Sequence, residues 1–184
     1  MSSRRAFLAA PLLALGGCGF QPVYGPGGER NAAASPAGRD PRLRDEMAAV
    51  RVAPMYERSG QLMRRALQRS FEGSQPGQQG RYALDVSLVY ATEFLGYQTS
   101  GLATRVRVIA TSNWVLSTLS VPPEVVDRGT VRTVDAYNLP DLQFFASDAS
   151  REDMERRVIA ELSERVTIGV AVALRRRLAA SQAA

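Results

Sequence analysis

The sequence predicts an α+β domain in the order β-α-β-β-β-α, held behind a lipid anchor. Three observations predict it. A secretion signal stops at a lone cysteine; residues alternate between apolar and polar through three segments from Arg81 to Asn138; and two stretches with helical period lie on either side of those segments.

The signal comes first. Arg4-Arg5 precede an apolar run from Ala6 to Leu15, and Leu15-Gly16-Gly17-Cys18 closes it. The run is too short to span a bilayer, so residues 1–17 read as a removable signal peptide. Small residues at Gly16 and Gly17 suit a signal peptidase, and Cys18 carries the only thiol that can take a lipid. Cys18 is therefore the predicted lipidation site. Ser3-Arg4-Arg5-Ala6-Phe7-Leu8 also resembles a twin-arginine export signal, so both export routes stay open.

Composition narrows the class. Hydrophobic residues make up 45% of the 184, enough for a real core and against overall disorder. There is no histidine, and every one of the 23 basic residues is arginine. The planar guanidinium suits phosphate and carboxylate recognition, but a complete absence of lysine is read as the bias of a GC-rich genome. Loss of residues 1–17 removes two arginines and no acid, so the net charge falls from +5 to +3. With Cys18 acylated no thiol remains for a disulfide, which fits a periplasmic domain relying on its core.

Residues 18–46 are expected to be the lipidated N-terminus and a linker. Gly25-Pro26-Gly27-Gly28 and Ala32-Ala33-Ala34-Ser35-Pro36-Ala37-Gly38 offer no apolar period to bury. The folded domain is expected over residues 47–184. Val50 and Val52 alternate with Arg51 and Ala53 as a short strand that Pro54 ends. Ser59 to Gly73 reads as a helix, with Leu62, Met63, Ala66, Leu67, Ser70 and Phe71 on one face and arginines on a solvated one.

The clearest strand follows. Tyr82, Leu84, Val86, Leu88 and Tyr90 point one way, and Arg81, Ala83, Asp85 and Ser87 the other. A loop around Gly96 and Gly101 turns the chain back. Val106, Val108, Ala110, Ser112, Trp114 and Leu116 then share the core face, opposite Arg105, Arg107, Thr111 and Asn113. Pro122-Pro123 breaks this strand, Asp127-Arg128-Gly129 is read as leading into the next, and Thr130 to Asn138 is the fourth strand. Short connections make these three an antiparallel meander.

The final helix is expected from a capping box at Ser150-Arg151-Glu152-Asp153. Glu152–Arg156, Asp153–Arg157 and Glu161–Arg165 have the spacing of ion pairs on one turn. Met154, Val158, Leu162 and Val166 begin a buried stripe. Ile168 to Leu174 is apolar on all sides and must be covered, by the chain itself or by another protein. Arg175-Arg176-Arg177 is expected to complement the carbonyl end of the helix.

Catalytic constellations are missing. The chain has no histidine base, no nucleophile elbow, no Cys/His set with metal-ligand spacing and no glycine-rich phosphate loop. Neither a catalytic residue nor a metal or cofactor site is predicted, and the chain reads as a binding or assembly protein.

Cys18-Gly19-Phe20-Gln21-Pro22-Val23-Tyr24-Gly25 resembles the start of the LptE family, the lipopolysaccharide-assembly lipoproteins. The element order resembles LptE along the whole mature chain, as does Tyr137-Asn138 with Phe145-Ala146-Ser147 leading into a charged, then apolar, helix. The alanine-rich linker and the Pro122-Pro123 turn depart from the pattern. The resemblance implies a two-layer sandwich: a four-stranded mixed sheet with two helices packed on one face. It also implies an outer-membrane lipoprotein on the periplasmic side that plugs the LptD β-barrel, helps it assemble and contacts lipopolysaccharide. Nucleic acid is not among the implied partners. Gly19, where an aspartate would retain the protein, resembles lipoproteins released to the outer membrane.

Lipopolysaccharide is anionic, so Arg105 and Arg107, with Arg132 on a neighbouring strand, are the candidate contacts. The alternatives are a generic lipid-anchored periplasmic scaffold of another envelope complex and, more remotely, a lipid-anchored enzyme.

Overall fold

A computed structural model describes residues 40–73, 75–139 and 144–183, which belong to one folded unit beginning at Asp40. Cys18 and the signal lie outside the described residues.

The unit starts with a helix that the predicted order lacks. Helix α1, Pro41–Ala48, occupies residues read as the end of the linker. Asp40 is its N-cap, its carboxylate accepting from the backbone N–H of Arg42 at 3.0 Å and of Leu43 at 3.4 Å. Proline at the start is compatible with a helix because its missing N–H would go unused there. Only Leu43, Met47 and Ala48 are buried. Two turns with three apolar contacts are too short to show a period in sequence.

Strand β1, Val50–Val52, has the expected facing: both valines are buried and Arg51 is half-buried. Helix α2, Glu57–Glu72, buries Met63, Leu67 and Phe71 at four-residue spacing. It stops where the Gly73 N–H bonds the Arg69 carbonyl at 3.2 Å.

Strands β2 (Tyr82–Tyr97), β3 (Ala103–Thr118) and β4 (Val125–Asn138) form the meander. Sheet order is β1-β2-β3-β4. β1 pairs parallel to β2 and the other pairings are antiparallel, so the sheet is mixed as expected. Val106, Val108, Ala110, Ser112, Trp114 and Leu116 are all buried. Register places Leu84 opposite Leu116 and Val86 opposite Trp114, so the core face of β2 is also the expected one. Helices α2 and α3 cover this inner face, and no described helix lies on the outer one.

β4 begins earlier than expected and takes in Asp127-Arg128-Gly129. Gly129 pairs with Trp114 because it must: a Cβ there would lie 2.8 Å from the indole. A glycine required by a neighbouring strand's side chain thus belongs to the strand and not to the residues before it.

Helix α3, Phe144–Ala183, begins six residues before Ser150, so the Ser150-Arg151-Glu152-Asp153 box lies inside it and caps nothing. Met154, Val158, Leu162, Val166 and Val170 form the buried stripe. Glu152 pairs with Arg156 at 3.9 Å, and Glu161 pairs with Arg165. Asp153 bonds Arg156 instead of Arg157. Arg157 reaches across to Asp135 on β4 at 2.8 Å, a partner that helical spacing cannot reveal. The apolar segment is covered only in part. Val170, Ala171, Ala173 and Leu174 are buried, whereas Ile168 is 53% exposed and Val172 38%. Arg175-Arg176-Arg177 does not end the helix, which continues to Ala183 with no basic residue in its last turn. Arg177 instead bridges to Glu124 at 3.0 Å.

Candidate functional site

The outer face of the sheet carries the three predicted arginines. Arg105 pairs in register with Leu95 and Asn138, Arg107 with Glu93 and Ala136, and Arg132 with Thr111. Odd-numbered residues of β3 point outward, so all three side chains leave the same face, and all three are exposed. Rigid strands hold them, which lowers the ordering cost of binding compared with loop residues.

The sheet brings only two of them together. Arg105 and Arg107 are two residues apart on one strand, about 7 Å along it. Arg132 sits one strand over and four register positions further, about 13 Å along the sheet. Arg107 already has a partner: its guanidinium donates to Glu93 at 3.1 Å. Between the pair and Arg132 runs an apolar row in which Ala91, Ile109 and Val134 lie in register. Val89 and Val134 are 57% and 53% exposed. The face is thus an apolar band with guanidinium groups at both ends. Such a surface suits a ligand carrying both acyl chains and anionic groups. Sequence alternation located the arginines, but the apolar row became visible only with the strand register.

A second feature was missed in sequence. On the inner face, a cleft of about 290 Å³ opens between Tyr90, Val108 and Tyr137 of the strands and Arg151, Met154 and Glu155 of α3. Tyr90 has its phenol pushed up to about 12. Burial is the main cause and the Glu155 carboxylate adds to it, against a hydrogen bond with Ser59. The signal was present in the continued alternation beyond Tyr90, where Thr92 and Phe94 keep the inner facing of β2. Phe94, 57% exposed, extends this wall toward the hairpin tip.

Among the described residues no group of three or more Cys, Asp or Glu side chains is placed to hold a metal ion. No described helix is long and apolar enough to cross a membrane.

No family model and no curated protein matches the chain. Solved structures do. The chain is similar to a "putative lipoprotein" of Caulobacter crescentus with a TM-score of 0.59 at 21% identity, covering 74% of this chain and 97% of that one. It is also similar to the rare lipoprotein B of Shewanella oneidensis with a TM-score of 0.50 at 10% identity, covering 71% and 96%. Nearly the whole length of each neighbour is matched, so the α+β architecture is shared as a complete domain.

Proposed function

We propose that this chain is an LptE-like lipoprotein of the bacterial envelope. In this reading Cys18 anchors it to the periplasmic side of the outer membrane, where it plugs and helps assemble the LptD β-barrel and binds lipopolysaccharide for insertion. The N-terminal Cys18-Gly19-Phe20-Gln21-Pro22-Val23-Tyr24 run supports the family, and the names of both structural neighbours support a lipoprotein. The observation that carries the function is the outer sheet face, which no described helix covers, with the apolar Ala91, Ile109 and Val134 row between the Arg105–Arg107 pair and Arg132, and exposed Val89 level with Arg132. A barrel wall or a lipid A unit would remove that apolar band from water, and guanidinium forks match phosphate geometry. The role is binding and assembly, with no catalytic step.

A tagged full-length chain recovered from membranes tests it. The expected result is co-purification of a large β-barrel and an increase in mass at Cys18 from acylation. Recovery of the acylated chain with other envelope proteins and no barrel would leave a lipid-anchored scaffold of a different complex.

A further inference from the structure

Arginines crowd one end of the folded unit, away from the outer-face band. Helix α1 packs against α3, and Glu46 of α1 and Arg177 of α3 both lie beside Tyr82 at this end. Cations here are engaged within the fold, among them Arg81, which bridges to Glu46 at 3.1 Å, and Arg177, which bridges to Glu124 at 3.0 Å. Arg42 and Arg44 on α1 and Arg176 on α3 are exposed. Of the acids at this end, Asp40 is occupied in capping α1, Glu46 and Glu124 are paired, and Asp45 is exposed. The helix dipole does not account for the α3 arginines, since the helix runs on to Ala183. The described chain also enters here. Asp40 follows Cys18 by 22 residues in the sequence.

We infer that this end of the domain rests on the anionic phospholipid surface of the membrane that holds the anchor, with Arg42, Arg44 and Arg176 as its contacts. Guanidinium groups bind phosphodiester oxygens as a fork. A basic patch beside a lipid anchor strengthens attachment and sets which end of the domain faces the bilayer. The inference rests on the reading of Cys18 as an anchor. Its test therefore uses a chain without the lipid, so that the two can fail separately.

The mature chain from residue 18, with Cys18→Ser, is sedimented with phosphatidylcholine vesicles with or without phosphatidylglycerol. The expected result at low salt is binding about tenfold stronger to the anionic vesicles, lost as salt rises. The triple variant R42Q/R44Q/R176Q should fall to the level of neutral vesicles with its thermal midpoint unchanged. A control variant, R58Q/R156Q, at exposed arginines beside Glu152 near the start of α3, should bind like the parent. Equal binding to both vesicle types, full binding by the R42Q/R44Q/R176Q chain, or loss of binding in the R58Q/R156Q control would each overturn the inference. Absence of acylation at Cys18 in cells would defeat the anchor reading and leave the vesicle result standing.

Discussion

Trp114 of β3 lies directly against Gly169 of α3, so close that a Cβ at Gly169 would stand 2.8 Å from the indole Cζ2. A Cβ at Gly129 on β4 would likewise stand 2.8 Å from Cζ2 and Cε2 of the same ring. One buried indole therefore sets the approach of the long helix and of the fourth strand together. Both glycines are there for space.

Gly169→Ala removes that space. Alanine favours an isolated helix by about 1 kcal/mol over glycine, which predicts stabilisation from propensity alone. The collision with Trp114 reverses the sign, and we expect a net loss of about 1–3 kcal/mol. Chemical denaturation measures it, and a Trp114→Leu background should recover part of the loss. A stabilised G169A chain would mean that α3 can move off the indole without cost.

Trp114→Ala should cost about 3–5 kcal/mol, since the side chain is buried and its neighbours are backbone that cannot collapse freely. A change within about 0.5 kcal/mol would place the ring at the surface. Arg157→Gln is the contrast. Its bridge to Asp135 is half in solvent, so its loss should cost less than about 1 kcal/mol.

Tyr90 should ionise later than an ordinary phenol. Its folded value of about 12 lies above the usual 10, so the folded state holds the proton more tightly than the unfolded chain. The stability this contributes is fully present below pH 10 and is lost as the pH rises toward 12. An ultraviolet titration of tyrosinate should show this late group. Glu155→Gln should move it down, because the Glu155 carboxylate opposes the phenolate. An unmoved titration in E155Q would separate Glu155 from the cleft.

Glu93 competes with any anion for Arg107, given their 3.1 Å bridge. Glu93→Gln should strengthen binding of purified lipopolysaccharide at low salt, and R105Q/R107Q/R132Q should weaken it while leaving thermal stability near that of the parent. Arg132 lies far enough from Arg107 that their effects should add. Unchanged affinity in the triple variant would remove lipopolysaccharide binding from this face and leave only the plug role.

Local pattern was enough to specify the strands and their facing. Alternation acts between residues two apart, so Trp114, Leu116 and Val106 could be placed inward, and Arg105 and Arg107 outward, without knowing what they pack against. The stripe from Met154 to Val166 was legible for the same reason, at helical spacing. What depends on partners distant in sequence was not. Gly129 belongs to a strand because an indole fifteen residues away needs its space. Arg157 turns from Asp153 to Asp135 because β4 lies beside it. Helix α1 stands on a cap and three buried side chains, two turns that gain stability only once packed. The outer-face band likewise exists only in register, where Ala91, Ile109 and Val134 from three strands come side by side. Alternation in the chain decided which side of β2 and β3 meets the core; which residues share a surface was decided by the tertiary structure, because strand register and helix packing join positions that no local period connects.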